Sequence, residues 1–97
     1  MILFLDTEFT TIDNPPDLIS LALVNEHSQS DFFYAELPRA DYQHAASAWV
    51  RNNVLPLLWG GSWAMPIQEL SARLVKWIED QDNRCMIVTD APNTISS

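Results

Sequence analysis

The sequence predicts one α/β domain with the element order β-β-β-α-α-β, and three observations carry that reading. The chain opens on an unbroken apolar run, Ile2-Leu3-Phe4-Leu5, that ends in carboxylates. Two further apolar stretches, the second rich in aromatic residues, follow at short spacing, split by turn residues. From about residue 42 the apolar positions recur at helical spacing, before a last short apolar run, Cys85 to Thr89.

The elements follow in order. Ile2 to Leu5 has the pattern of a strand buried on both faces. Thr10 to Asp17 reads as a loop, marked by Asp13-Asn14-Pro15-Pro16-Asp17. Leu18 to Val24 is a second strand and Asn25 to Ser28 its turn. Asp31 to Leu37 is a third strand, stopped by Pro38. Short connections between consecutive strands favour an antiparallel meander. Tyr42 to Leu55 is expected as a helix with Asp41 as N-cap and Ala46, Trp49, Val50 and Val54 on one face. Pro56 restricts its end. Trp59-Gly60-Gly61-Ser62-Trp63 is a loop. A second helix begins near Pro66, with Glu69 in its first turn and an apolar stripe of Ile67, Leu70, Leu74, Trp77 and Ile78. Asp80 to Asn83 is a turn, and Cys85 to Thr89 a fourth strand.

Ninety-seven residues, 47% of them hydrophobic and including four Trp and four Phe, suit one globular domain rather than a disordered chain. No apolar run approaches the ~18 residues of a transmembrane helix, and no signal-peptide pattern is present, so a cytoplasmic protein with no membrane partner is expected. A single cysteine, Cys85, excludes an internal disulfide and fits a reducing compartment. The net charge of −8 is unevenly placed. Asp6, Glu8, Asp13, Asp17, Glu26, Asp31, Glu36 and Asp41 face one base, Arg39, in the first 42 residues. Such a surface repels phosphate and argues against non-specific binding of duplex DNA. It leaves open an enzyme that holds a strand end through divalent ions, which reverse the local sign.

The chemistry concentrates in Asp6 and Glu8. At spacing i, i+2 on a strand both side chains point to one face. There they repel each other and raise each other's pKa, and a cation between them removes the penalty. Hard oxygen ligands suit Mg²⁺ or Mn²⁺, and paired metals suit phosphoryl chemistry. The plainer alternative is a solvated acidic pair where a strand meets a loop.

Three strands, two helices and a returning strand match the first half of a ribonuclease H-like fold. Asp6-Thr7-Glu8-Phe9 on a first strand resembles the first motif of the DEDD 3′–5′ exonucleases. The nearer resemblance is to the bacterial and phage group similar to a mycobacterial-type 3′–5′ exoribonuclease. Leu18 to Val24 and Trp49-Val50-Arg51-Asn52-Asn53-Val54-Leu55-Pro56 are similar to its following strand and helix. The resemblance implies two-metal hydrolysis of a terminal phosphodiester of RNA or single-stranded DNA by four carboxylates. Asp6 and Glu8 would be catalytic metal ligands, Asp90 a third ligand, and Phe9 and Thr10 would touch the terminal nucleotide. For Asp90 the alternative is an Asx turn or helix cap before Pro92. The family's last motif, a histidine or tyrosine base with a fourth aspartate, has no counterpart. The chain is therefore expected to be an incomplete domain, weak or inactive alone, with an exposed sheet edge that favours a homodimer.

A second function class stays open: a non-catalytic acidic module that binds a basic, nucleic-acid-handling partner. Other residues are read conservatively. His27 and His44 lack a second ligand at zinc spacing, and Cys85 reads as a small core residue. Trp59 and Trp63 either stack on bases or cover a core edge. Phe32, Phe33 and Tyr34 read as strand packing, and Arg51, Arg73 and Lys76 as solvated helix charges that contact phosphate in the alternative reading.

Overall fold

A computed structural model describes residues 1–10, 17–81 and 84–89. Four strands, β1 (Ile2–Phe9), β2 (Leu18–Asn25), β3 (Ser28–Glu36) and β4 (Met86–Thr89), form a mixed sheet in the order β3-β2-β1-β4. β1 pairs antiparallel with β2 and parallel with β4, and β2 pairs antiparallel with β3. Together with its helices this is an α/β architecture. β1 therefore has a neighbour on each side.

Alternation along β1 gives the sheet two unlike faces. Leu3, Leu23, Phe33 and Ala35 are buried with Met65 and Leu70, and Leu5, Leu21, Leu74, Trp77 and Ile78 pack around them. The helix that covers this face is the 13-residue Ile67–Glu79, preceded by Pro66. Ile67, at its first position, lies off the buried stripe and is about half exposed. The apolar run Ile2 to Leu5 suggested burial on both faces, but Phe4 is 50% exposed. Among the described residues the long helix covers one face only.

The expected helix from Tyr42 to Leu55 is broken into pieces. A short helix, α1 (Arg39–Tyr42), runs into a 3₁₀ turn at Gln43–Ala45. The helix α2 (Ala48–Asn53) follows, then a 3₁₀ turn at Leu55–Leu57. We number the long helix Ile67–Glu79 α3. The break falls at Ser47, whose backbone is extended and whose Oγ accepts from Val50 N at 3.2 Å. Its own N–H donates to the Thr10 carbonyl at 3.0 Å and is lost to any helix running through it. Ser47, not Asp41, is thus the residue whose side chain caps a helix here. Ala46, Val50 and Val54 are buried with Ile19, Tyr42 and Leu55 in a second cluster, whereas Trp49 is 67% exposed.

Polar side chains tie the ends of the strands. Asn25, buried at the end of β2, donates from Nδ2 to Asp31 Oδ2 and Gln81 Oε1, both at 3.1 Å, and accepts from His27 N at 2.8 Å. That Asx-type turn reverses the chain between β2 and β3. Most of the loop expected between Thr10 and Asp17 lies outside the described residues. No helix among the described residues is long and apolar enough to cross a membrane.

Two substitutions separate the two kinds of apolar residue. Leu3→Ala, in the fully buried β1 position, is expected to cost about 2–5 kcal/mol in urea denaturation. Trp49→Ala, on the exposed side of α2, should stay within about 0.5 kcal/mol of the parent. Ser47→Ala should cost about 1 kcal/mol through loss of the cap.

Candidate functional site

The strand register sets out the site in two cross-strand rows. Asp6 lies opposite Ala22, which lies opposite Tyr34; Glu8 lies opposite Ser20, which lies opposite Glu36. Asp6, Glu8, Ser20, Ala22 and Tyr34 line one side of a cleft of about 200 Å³. Val54, Leu57, Leu58 and Trp59, from the segment after α2, line the other. Asp6 is exposed and Glu8 partly buried. Burial first, and then the charge of Asp6, push the Glu8 carboxyl above its ordinary range.

The wall of this cleft is built on a buried acid. Glu36 is 4% exposed and accepts from Tyr34 Oη at 2.5 Å and from Gly60 N at 3.1 Å. Gly60 and Gly61 both have positive φ, +67° and +57°, a region that disfavours any residue with a Cβ. The Gly-Gly pair thereby turns the chain so that Gly60 N–H meets the carboxylate. On either side stand Trp59 and Trp63, ring centroids 4.9 Å apart. Tyr34 lies 4.5 Å from Trp59, and Phe32 lies 6.0 Å from Trp59. Burial, followed by the hydrogen bond to Glu36, raises the Tyr34 hydroxyl far above its ordinary pKa. The segment's last residue, Met65, donates its N–H to the Glu36 carbonyl at 2.9 Å.

The remaining expected site residues lie elsewhere. Thr10 is fully buried and its polar groups are occupied: N donates to Asp17 O, Oγ1 accepts from Asp17 N, and O accepts from Ser47 N. It acts as a clamp between the end of β1, the start of β2 and the cap of α2. Phe9 pairs with Leu18 just past a register shift, and neither it nor Thr10 lines the cleft. Asp90 lies outside the described residues; the residue before it, Thr89, is opposite Leu5. Among the described residues no group of three or more His, Cys, Asp or Glu is placed to hold a metal ion. Asp6 and Glu8 thus offer two ligands.

Sequence reasoning passed over Tyr34 and Glu36, whose i, i+2 spacing is the same signal that singles out Asp6 and Glu8. Arg73 and Lys76 pair with Glu69 at 2.8 Å and Asp80 at 3.7 Å along α3. His27 Nε2 sits 3.3 Å from Glu26 Oε1 on the surface. Cys85 packs against the first core cluster. Compared with known proteins, the sequence matches no family model and no curated protein.

The raised Glu8 carboxyl has a pH consequence. Between the ordinary glutamate pKa and the raised one, the folded chain holds a proton that the unfolded chain has lost. Stability from this group is present at low pH and is lost as pH rises through that window. Glu8→Gln should remove that part of the slope in pH-dependent denaturation. Asp6→Asn should lower the Glu8 pKa, read by carboxyl ¹³C NMR, only in part, because burial is the larger cause.

Proposed function

We propose that this chain is a metal-dependent 3′–5′ exonuclease domain of ribonuclease H-like fold, acting on the 3′ end of RNA or single-stranded DNA. The observation that carries the reading is the placement of Asp6 and Glu8 on one face of the two-sided strand β1, within one cleft. The strand order supports it, because β4 runs parallel to β1 and its last residue, Thr89, stands opposite Leu5, next to Asp6. The following residue in the chain, Asp90, is the third ligand in this reading.

The pair fits a hard cation: both ligands are carboxylate oxygens, and the raised Glu8 carboxyl is what a neighbouring positive charge would relieve. Mg²⁺ or Mn²⁺ bound there supplies Lewis-acid polarisation of the phosphoryl group and an activated water. The protein's own residues do the rest. Asp6 and Glu8 would hold the metal through their carboxylate oxygens. Leu58 and Trp59 give the side of the cleft opposite the carboxylates an apolar lining.

A non-catalytic acidic module that binds a basic partner is the second reading. It is favoured by the excess of acidic side chains in the first 42 residues, eight against the one base Arg39.

Digestion of a 5′-labelled single-stranded RNA with Mn²⁺ distinguishes the two. Slow stepwise shortening from the 3′ end is expected, as for a domain weak alone, and is abolished by chelation. Asp6→Asn and Glu8→Gln should each slow it at least ~100-fold, since even outer-shell partners of a metal are worth 10–100-fold. A folded protein that binds no Mn²⁺ and trims nothing refutes the exonuclease reading and leaves the acidic module.

A further inference from the structure

The five basic side chains of this acidic protein are not used alike. Arg73 and Lys76 are paired with carboxylates along α3. Arg39 and Arg51 form no ion pair with any described carboxylate. Instead both line one hollow of about 570 Å³, together with Gln43, His44, Leu55 and Pro56. Each guanidinium has one anchor on the backbone, and that of Arg39 also lies against the Tyr42 hydroxyl. Arg39 Nη2 donates to the Leu55 carbonyl at 3.2 Å and Arg51 Nη2 to the Gln43 carbonyl at 3.4 Å. A guanidinium carries five N–H donors in a planar fork, so most of each fork is left over. The hollow is separate from the carboxylate cleft: the cleft takes Val54, Leu57 and Leu58 from this stretch of chain, and the hollow takes Leu55 and Pro56.

We propose that this hollow binds a phosphate-bearing ligand, the phosphate of a nucleotide or of a single nucleic-acid strand. Two unpaired guanidiniums match the charge and the planar, bidentate geometry of phosphate oxygens. The volume exceeds a bare phosphate and falls within the ~300–1,000 Å³ of small-molecule sites. Leu55 and Pro56 give the apolar surface on which a sugar or base rests. The chain's net negative charge does not prevent this, because exposed charges more than ~8–10 Å away are screened at physiological salt. Asp41 shares the α1 turn with Arg39 but makes no ion pair with it. The site stands apart from the metal reading, and its test is binding without metal.

The test is a ¹⁵N NMR titration of the intact chain in EDTA with three probes: 5′-AMP, inorganic pyrophosphate and a short single-stranded RNA. Shifts centred on Arg39, Gln43, His44 and Arg51 are expected. Arg51→Gln, at an exposed position, should weaken binding at least ~10-fold with the rest of the spectrum unchanged. Arg39→Lys, which keeps the charge and loses the fork, should weaken it less. Binding of 5′-AMP identifies a nucleotide site, and binding of RNA alone identifies a strand site. No shift with any probe, shifts centred elsewhere, or affinity unchanged in Arg51→Gln overturns the proposal.

Discussion

Everything in this fold follows from β1 having a partner on each side. Antiparallel pairing to β2 and parallel pairing to β4 leave it no freedom of rotation, so its alternate side chains are committed to opposite faces. One set, with Leu3 at its centre, meets α3 and forms the main core. The other set ends in Asp6 and Glu8. A slip of one residue would bury both carboxylates under α3 and turn Leu3 to water, so the packing of the core and the presentation of the acids are one constraint. Thr10 closes the strand by fastening it to Asp17 and Ser47, which places the α1–α2 layer beside the same end of the sheet.

How much of the fold could be read in the sequence depends on the range of the force involved. The α/β class is legible because the change from strand to helix periodicity is a local property of the chain. The long helix is legible for the same reason, with Leu70, Leu74 and the adjacent Trp77 and Ile78 recurring at each turn. The break in the preceding helical stretch is not, because its cause is the Ser47 N–H reaching back to Thr10, 37 positions earlier. Both Asp41 and Ser47 are residue types that cap helices, and only that tertiary bond selects between them. The exposure of Phe4 is equally hidden: an apolar run looks the same whether one face of the sheet is covered or two.

The site divides along the same line. Asp6 and Glu8 fall on one face from strand period alone, so the pair needs no tertiary knowledge. The depth of Glu36 does, since the groups that satisfy it, Tyr34 on its own strand and Gly60 in a distant loop, become partners only after folding. A buried carboxylate without them would carry a penalty of several kcal/mol, so its burial and the Trp59–Trp63 loop are interdependent. The grouping of Arg39, His44 and Arg51 is invisible for another reason. Arg39 lies outside the helix expected from Tyr42 to Leu55, so its place in one hollow with His44 and Arg51 emerges only from the folded path of the chain.

The aromatic wall also gives the molecule an optical identity. The indoles of Trp59 and Trp63 sit 4.9 Å apart at an interplanar angle of 66°, close enough and skewed enough for their electronic transitions to couple. Such a pair rotates polarised light as one chiral unit rather than as two separate chromophores. The bond from Gly60 N to Glu36 helps to hold the loop that carries both rings. The circular dichroism of this protein should therefore carry a signal from this loop, distinct from the backbone bands that report its sheet and helices.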